Sequence, residues 1–140
     1  MTKQEIKQLS PLGLAYIGDG IYELMTRTRM IKRGNMPVNK LHRLTVSVVC
    51  AASQSASMEL LLNRLSEEEE AVYRRGRNAH SGHVPKNADL QAYRRATGLE
   101  ALFGYLYLCG EMVRLHELYE IIWQGLPDGL FSSEDRDESP

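Results

Sequence analysis

An all-α fold, a single domain, is the class this sequence predicts, and three observations predict it. Apolar residues recur at helical spacing through most of the chain, capping and stop signals bracket those stretches, and no segment makes a stronger strand than helix. With 140 residues, 43% hydrophobic and 25% charged, the chain suits one compact domain of five to seven helices and excludes disorder throughout. The domain is expected over residues 1–127, followed by an acidic, disordered tail over 128–140.

Ser10 before Pro11 marks the first helix start. The serine oxygen can cap free N–H groups, and proline at the first helical position gives up a donor that has no partner there. This helix is expected to run to about Arg33, with Lys32 and Arg33 in the last turn where positive charge suits the dipole, and to stop at Gly34. Asn39 is the expected cap of a second helix, in which Leu41, Leu44, Val48 and Ala52 share a face. The β-branched Thr45, Val46, Val48 and Val49 leave a short buried strand open there, but length favours helix. Residues from about Gln54 to Arg64 continue or restart it, with Met58, Leu61, Leu62 and Leu65 on one side.

Ser66 and Glu69 form a capping box, and four glutamates from 67 to 70 fill the first turn of the next helix. Residues 75–87, RGRNAHSGHVPKN, read as a loop by their glycines, proline and asparagines, and loops of that length are often functional. Helix resumes near Asn87 or Ala88 and runs to Leu108. Leu99, Leu102, Phe103, Leu106 and Tyr107 supply its apolar positions, and Gly98 and Gly104 allow close packing. Gly110 breaks the chain before a last helix, from about Glu111 to Gln124, whose apolar face holds Val113, Leu115, Leu118, Ile121, Ile122 and Trp123.

The formal charge of -1 argues against nucleic-acid binding through overall charge, but it averages two opposed regions. Residues 71–95 hold five arginines and Lys86 against Asp89 alone, whereas residues 128–140 hold five acids and one arginine. Cys50 and Cys109 each lie in an apolar stretch and read as two buried thiols rather than a disulfide or zinc site. No apolar run reaches about 18 residues and the N-terminus lacks an export pattern, so no membrane partner and a cytoplasmic location are expected. A serine elbow and a phosphate loop ending in GK[ST] are both missing, which leaves acyl transfer and nucleotide hydrolysis unsupported. His80 and His83 have zinc-ligand spacing but no acid or cysteine to complete a site; they read as an exposed loop pair.

Two acids stand out. Asp19 sits between Gly18 and Gly20 inside a helix, three poor helix formers together, and Glu23 at i+4 shares its face. The readings are an aspartate that something must approach closely, or an exposed aspartate beside packing glycines. Glu100 interrupts the apolar run ATGLEALFGYLYL, and a carboxylate buried there must be paired, metal-bound or at a solvent edge. If the two helices pack antiparallel, Asp19 and Glu100 meet in an oxygen-rich site of the kind Mg²⁺ accepts with waters retained. The alternative is an ion pair from Glu100 to Arg94, Arg95 or Arg27.

These residues carry a resemblance. LAYIGDGIYE, residues 14–23, resembles the glycine–aspartate helix of the ribonuclease III family, and TGLEALFGYLYL, residues 97–108, resembles its second acidic motif. With the RGRN segment between them, the set over residues 12–123 is most similar to the family's short bacterial form, a catalytic domain alone that trims ribosomal RNA precursors. The resemblance implies an all-α homodimer that cleaves double-stranded RNA with Mg²⁺, Mn²⁺ being a substitute. Each subunit would cut one strand to leave a 5'-phosphate, a 3'-hydroxyl and a short 3' overhang.

The implied substrate is 23S ribosomal RNA precursor, with a ribosomal protein bound to the substrate as a further expected partner. Asp19 and Glu100 are the implied catalytic and metal-binding residues. Larger members carry two further acids where this chain has Ala15 and Thr97, so waters, Glu23 or the RNA would complete the metal shell. Arg74, Arg75, Arg77 and Lys86 are the expected phosphate contacts, and Asn78, His80, Ser81 and Asn87 the expected contacts to 2'-hydroxyls. Gly76 and Gly82 would let that loop adapt. Arg94 and Arg95 have two readings, as partners of Glu100 or of the acids at 67–70. The alternative function is a non-catalytic helical RNA-binding or ribosome-assembly factor, and the presence of both acids favours the enzyme.

Overall fold

A computed structural model describes residues 1–79, 82, 84 and 86–131. Among them, seven α-helices and no strand are found: α1 Lys3–Lys7, α2 Pro11–Lys32, α3 Val38–Val49, α4 Ala51–Leu61, α5 Glu67–Asn78, α6 Leu90–Leu108 and α7 Met112–Gln124, with one 3-10 turn at Leu62–Arg64. No single helix among the described residues is long and apolar enough to cross a membrane.

The sequence signals account for most of the ends. Ser10 Oγ accepts from the Gly13 N–H at 3.0 Å, and the Ser66–Glu69 capping box is complete in both directions. Asp89 caps α6 by accepting from the amides of Gln91 and Ala92, so that helix begins slightly later than expected. Helix α1 was not anticipated, although Thr2 and Glu5 form the same S/T-x-x-E box that marks α5. Asn39 is not a cap: α3 starts at Val38, after Pro37. The β-branched run is helical, and the break falls at Cys50, whose extended backbone ends α3 and starts α4.

Helix α6 is the centre of the molecule. Six consecutive residues from Ala101 to Leu106 are buried, as expected of a helix surrounded on all sides. Helices α2, α4 and α5 pack around it, α3 leans on α2, and α7 closes the base against α4 and α6. Tyr22, Phe103 and Tyr119 form an aromatic cluster with centroids 5.2 and 5.5 Å from the Tyr22 ring. Burial of each such side chain contributes about 1.5–3 kcal/mol.

Glycines set how closely these helices approach. A Cβ on Gly18 would lie 1.6 Å from the Glu100 carbonyl oxygen, and one on Gly104 would lie 2.0 Å from the Leu14 carbonyl oxygen. Residue 14 faces 104 while residue 18 faces 100, so α2 and α6 run antiparallel. Gly98 meets the Tyr73 ring in the same way.

Several expected faces need correcting. Val113 is 77% exposed and Leu62 43%, because α7 turns Leu115 inward and Leu62 falls in the 3-10 turn after the buried Leu61. Cys50 is exposed and Cys109 partly so, since each sits at a helix end rather than on a core face. Packing also continues past residue 127, where Phe131 lies 6.0 Å from Trp123 and 4.2 Å under the Arg33 guanidinium. The remainder of the expected tail, residues 132–140, lies outside the described residues.

Candidate active site

The antiparallel crossing of α2 and α6 brings Asp19 and Glu100 together, with their carboxyls within hydrogen-bonding reach of one another. Gly18 makes this possible, since any side chain there would push away the turn of α6 that carries Glu100. Gly20, on the other flank of Asp19, has open space around it, so the two glycines serve different ends. Asp19 is exposed and Glu100 partly buried. Burial, followed by the hydrogen bond and charge of Asp19, pushes the Glu100 carboxyl up to about 8, with Gln54 acting in the opposite direction.

Two of the three expected basic partners are otherwise engaged. Arg27 pairs with Glu23 at 3.2 Å, and Arg95 pairs with Glu59 at 3.2 Å. Neither Arg27, Arg95 nor Arg94 is among the groups that shift Glu100. The ion-pair alternative for Glu100 therefore has no support in the geometry. Glu23, the expected supplement to a metal shell, forms an i,i+4 pair with Arg27 along α2. Among the described residues no third His, Cys, Asp or Glu joins the two acids in a metal-holding cluster. Thr97, at the position where larger members carry an acid, turns its hydroxyl to donate to the Tyr93 carbonyl.

Two adjacent carboxyls with no basic partner among the described residues repel one another when ionised, and a divalent cation would relieve that repulsion. The all-oxygen donor set suits Mg²⁺ or Mn²⁺ with several waters retained. A buried amide without an aligned hydrogen bond, Gln54 Nε2, lies on the interior side of the pair. The residues present fit such an ion.

The basic segment is arranged differently from the expectation. Arg74, Arg75, Arg77 and Asn78 belong to the last turns of α5, not to a loop. Gly76 is no hinge: its Cβ would lie 2.6 Å from that of Ala101, so it seats α5 against α6 beside the turn bearing Glu100. Arg74 is paired with Glu70 at 2.6 Å, the Arg75 guanidinium reaches the Leu9 carbonyl at 3.5 Å, and Arg77 lies over the Tyr73 ring and donates to Asn78. Lys86 and Asn87 are exposed, and Asn87 and Gly82 both have positive φ. His80, Ser81 and His83 lie outside the described residues.

Gln54 is a residue the sequence reading missed. Its one signal is a glutamine among small residues on a helix that has to pack inward. The tyrosines at 105 and 107 divide: Tyr105 is buried and donates to Glu68 at 2.5 Å, whereas Tyr107 is 40% exposed.

A paired-acid site on a helical scaffold, beside a basic helix end, suits phosphodiester chemistry. The model of the ribonuclease III domain family matches residues 12–111. The chain is 50% identical to Mini-ribonuclease 3 of Thermoanaerobacter sp. over 86% of its length and 85% of that protein. It is 48% identical to Mini-ribonuclease 3 of Clostridium tetani, over 86% and 81%. Protein FN1578 from Fusobacterium nucleatum superposes with a TM-score of 0.79 at 28% identity, covering 89% of this chain and all of that one. The chain belongs to the ribonuclease III family, and its relatives place it in the Mini-ribonuclease 3 branch. It is a metal-dependent endoribonuclease of double-stranded RNA.

Proposed function

We propose that Asp19 and Glu100 bind Mg²⁺, or Mn²⁺ in its place, and that the enzyme matures the ends of 23S ribosomal RNA precursor in the cytoplasm. The observation that carries the site is the juxtaposition of Asp19 and Glu100 without a basic partner among the described residues. Bound there, the ion supplies charge neutralisation at the scissile phosphate and lowers the pKa of a water. The protein's own residues bind and orient. Asp19, exposed on α2, reaches the substrate side, while Glu100, fixed from within by α4 and α6, sets the position of the pair. Attack by water on phosphorus leaves a 5'-phosphate and a 3'-hydroxyl.

Arg75, Arg77 and Asn78 at the end of α5, with Arg74, Lys86 and Asn87, face the RNA backbone. His80 and Ser81 complete that set from the connecting segment. Duplex RNA is read mainly by shape and 2'-hydroxyls, so these contacts favour a duplex without selecting a sequence. A ribosomal protein bound to the precursor supplies the remaining selectivity. Glu23, on the same face of α2 as Asp19 and paired with Arg27, would supplement the oxygen donors of a bound ion.

The enzyme acts as a homodimer, because the antiparallel strands of a duplex ask for two sites related by a two-fold axis. The exposed strip of α2 carries this interface. Tyr16 is 85% exposed, Leu24 60% and Ile31 64%, all on the face opposite the core, with Gly20 open between the first two.

The test is cleavage of end-labelled double-stranded RNA by wild type and Asp19→Asn in Mg²⁺, with binding followed in Ca²⁺. Cleavage lost with binding retained is the expected result. A wild type that binds but never cuts, even with precursor RNA and its bound proteins, would leave the assembly-factor reading in its place.

A further inference from the structure

Gln54 lies on α4 and is 2% exposed. Burying an amide with its hydrogen bonds unmade costs on the order of 1–3 kcal/mol in general. Its Nε2 has no aligned partner among the described residues, and a methionine would fill similar space without that cost. The Glu100 carboxyl lies beside it, within hydrogen-bonding influence, and Gln54 is the one group acting on that carboxyl in favour of its ionised form. The Tyr22 hydroxyl, the second buried polar atom without an aligned partner among the described residues, is influenced first by Tyr119 and Ser57, so Gln54 is the orphaned group that bears on this carboxyl.

We propose that Gln54 is a positioning residue for the acid pair, its side-chain N–H donating to the ionised Glu100 carboxylate and holding it turned toward Asp19. The Gln54 amide is buried on α4, its Nε2 has no aligned partner elsewhere among the described residues, and the Glu100 carboxyl is the acceptor it bears on. This inference rests on the reading of Asp19 and Glu100 as the metal-binding pair.

Gln54→Met keeps the length and flexibility of the side chain and removes its amide, donor and acceptor together. Mn²⁺ binding by the purified protein without RNA, followed by electron paramagnetic resonance, is expected to weaken about 10–100-fold, the usual loss when a ligand's supporting hydrogen bond is removed. In cleavage assays kcat falls while KM for duplex RNA stays the same, and duplex binding in EDTA matches wild type. Mn²⁺ affinity within twofold of wild type overturns the proposal, whatever happens to kcat.

Should Gln54→Met fail to fold, the side-chain amide resonances of Gln54 in the wild type decide. They shift on adding Mg²⁺ to wild type and stay put in Asp19→Asn; resonances that ignore Mg²⁺ overturn the proposal. A wild type that neither binds Mn²⁺ nor cuts removes the acid-pair reading and this one with it, whereas a failure confined to the variant removes Gln54 alone.

Discussion

Adding a single methyl group at Gly18 should disable the enzyme from a position that never touches substrate. An alanine Cβ there would sit 1.6 Å from the Glu100 carbonyl oxygen, and real Cβ contacts stay beyond 3.0 Å. The obstacle is helix backbone, which cannot swing aside as a side chain would, so α2 and α6 must part by more than an ångström. Overpacking of this kind costs about 1–3 kcal/mol or more, and the helix propensity gained on replacing glycine returns only about 1 kcal/mol. At the upper end of that range, a net loss of about 2 kcal/mol lowers the melting temperature by on the order of 10 °C for a domain of this size. The same displacement separates Asp19 from Glu100, and a misplacement of about 1 Å costs roughly 100-fold in rate.

Differential scanning fluorimetry and single-turnover cleavage, run well below both melting points, measure the two effects separately. Gly20→Ala, with nothing within 4 Å of its Cβ in the subunit, is the matched control and should leave the subunit fold as stable or slightly more so. If Gly18→Ala melts within 2 °C of wild type and cuts at the wild-type rate, the argument from close helix approach is wrong.

Two further predictions concern the acid pair and the dimer. Glu100 has a folded pKa of about 8 against an ordinary 4.5. Its stabilisation is therefore complete below about 4.5 and is lost as pH rises through 8, at up to roughly 1.4 kcal/mol per pH unit in between. Metal-free protein should melt at lower temperature at pH 8.5 than at pH 5.5, Glu100→Gln should flatten that slope, and Mg²⁺ should stabilise the wild type most at the alkaline end; equal slopes for wild type and variant would count against the buried pair. Replacing Tyr16 by aspartate puts a charge in the exposed strip of α2, and light scattering at micromolar protein should find monomers with wild-type helicity in circular dichroism. A variant that stays dimeric would move the interface elsewhere, for instance to the apolar groove between α2 and α7 lined by Met25, Met112 and Val113.

Helices were legible in the sequence wherever local chemistry decides them. The Ser10 and Ser66 caps act within one turn, and the apolar spacing of residues 99–106 demands a buried helix whatever surrounds it. The same logic, applied to Thr2 and Glu5, would have found α1. The two acids stood out because each breaks a local preference, a carboxylate between glycines and a carboxylate in an apolar run, and such conflicts mark places where something other than stability is selected. The resemblance supplied their joint role and the duplex substrate.

The sequence by itself determined the all-α class, most helix boundaries and the identity of the two acids, because caps, helical period and misplaced charge are local properties of the chain. Only the tertiary structure decided what each glycine is for. Gly18 and Gly20 are equivalent in the sequence, yet one faces the backbone of α6 and the other open space; Gly76, expected in an adaptable loop, is a contact surface between α5 and α6. Gln54 became visible in the same way, since its importance lies in which carboxyl stands across from it. Those distinctions depend on contacts between helices far apart in the chain, and long-range packing has no local signature by which a sequence could announce it.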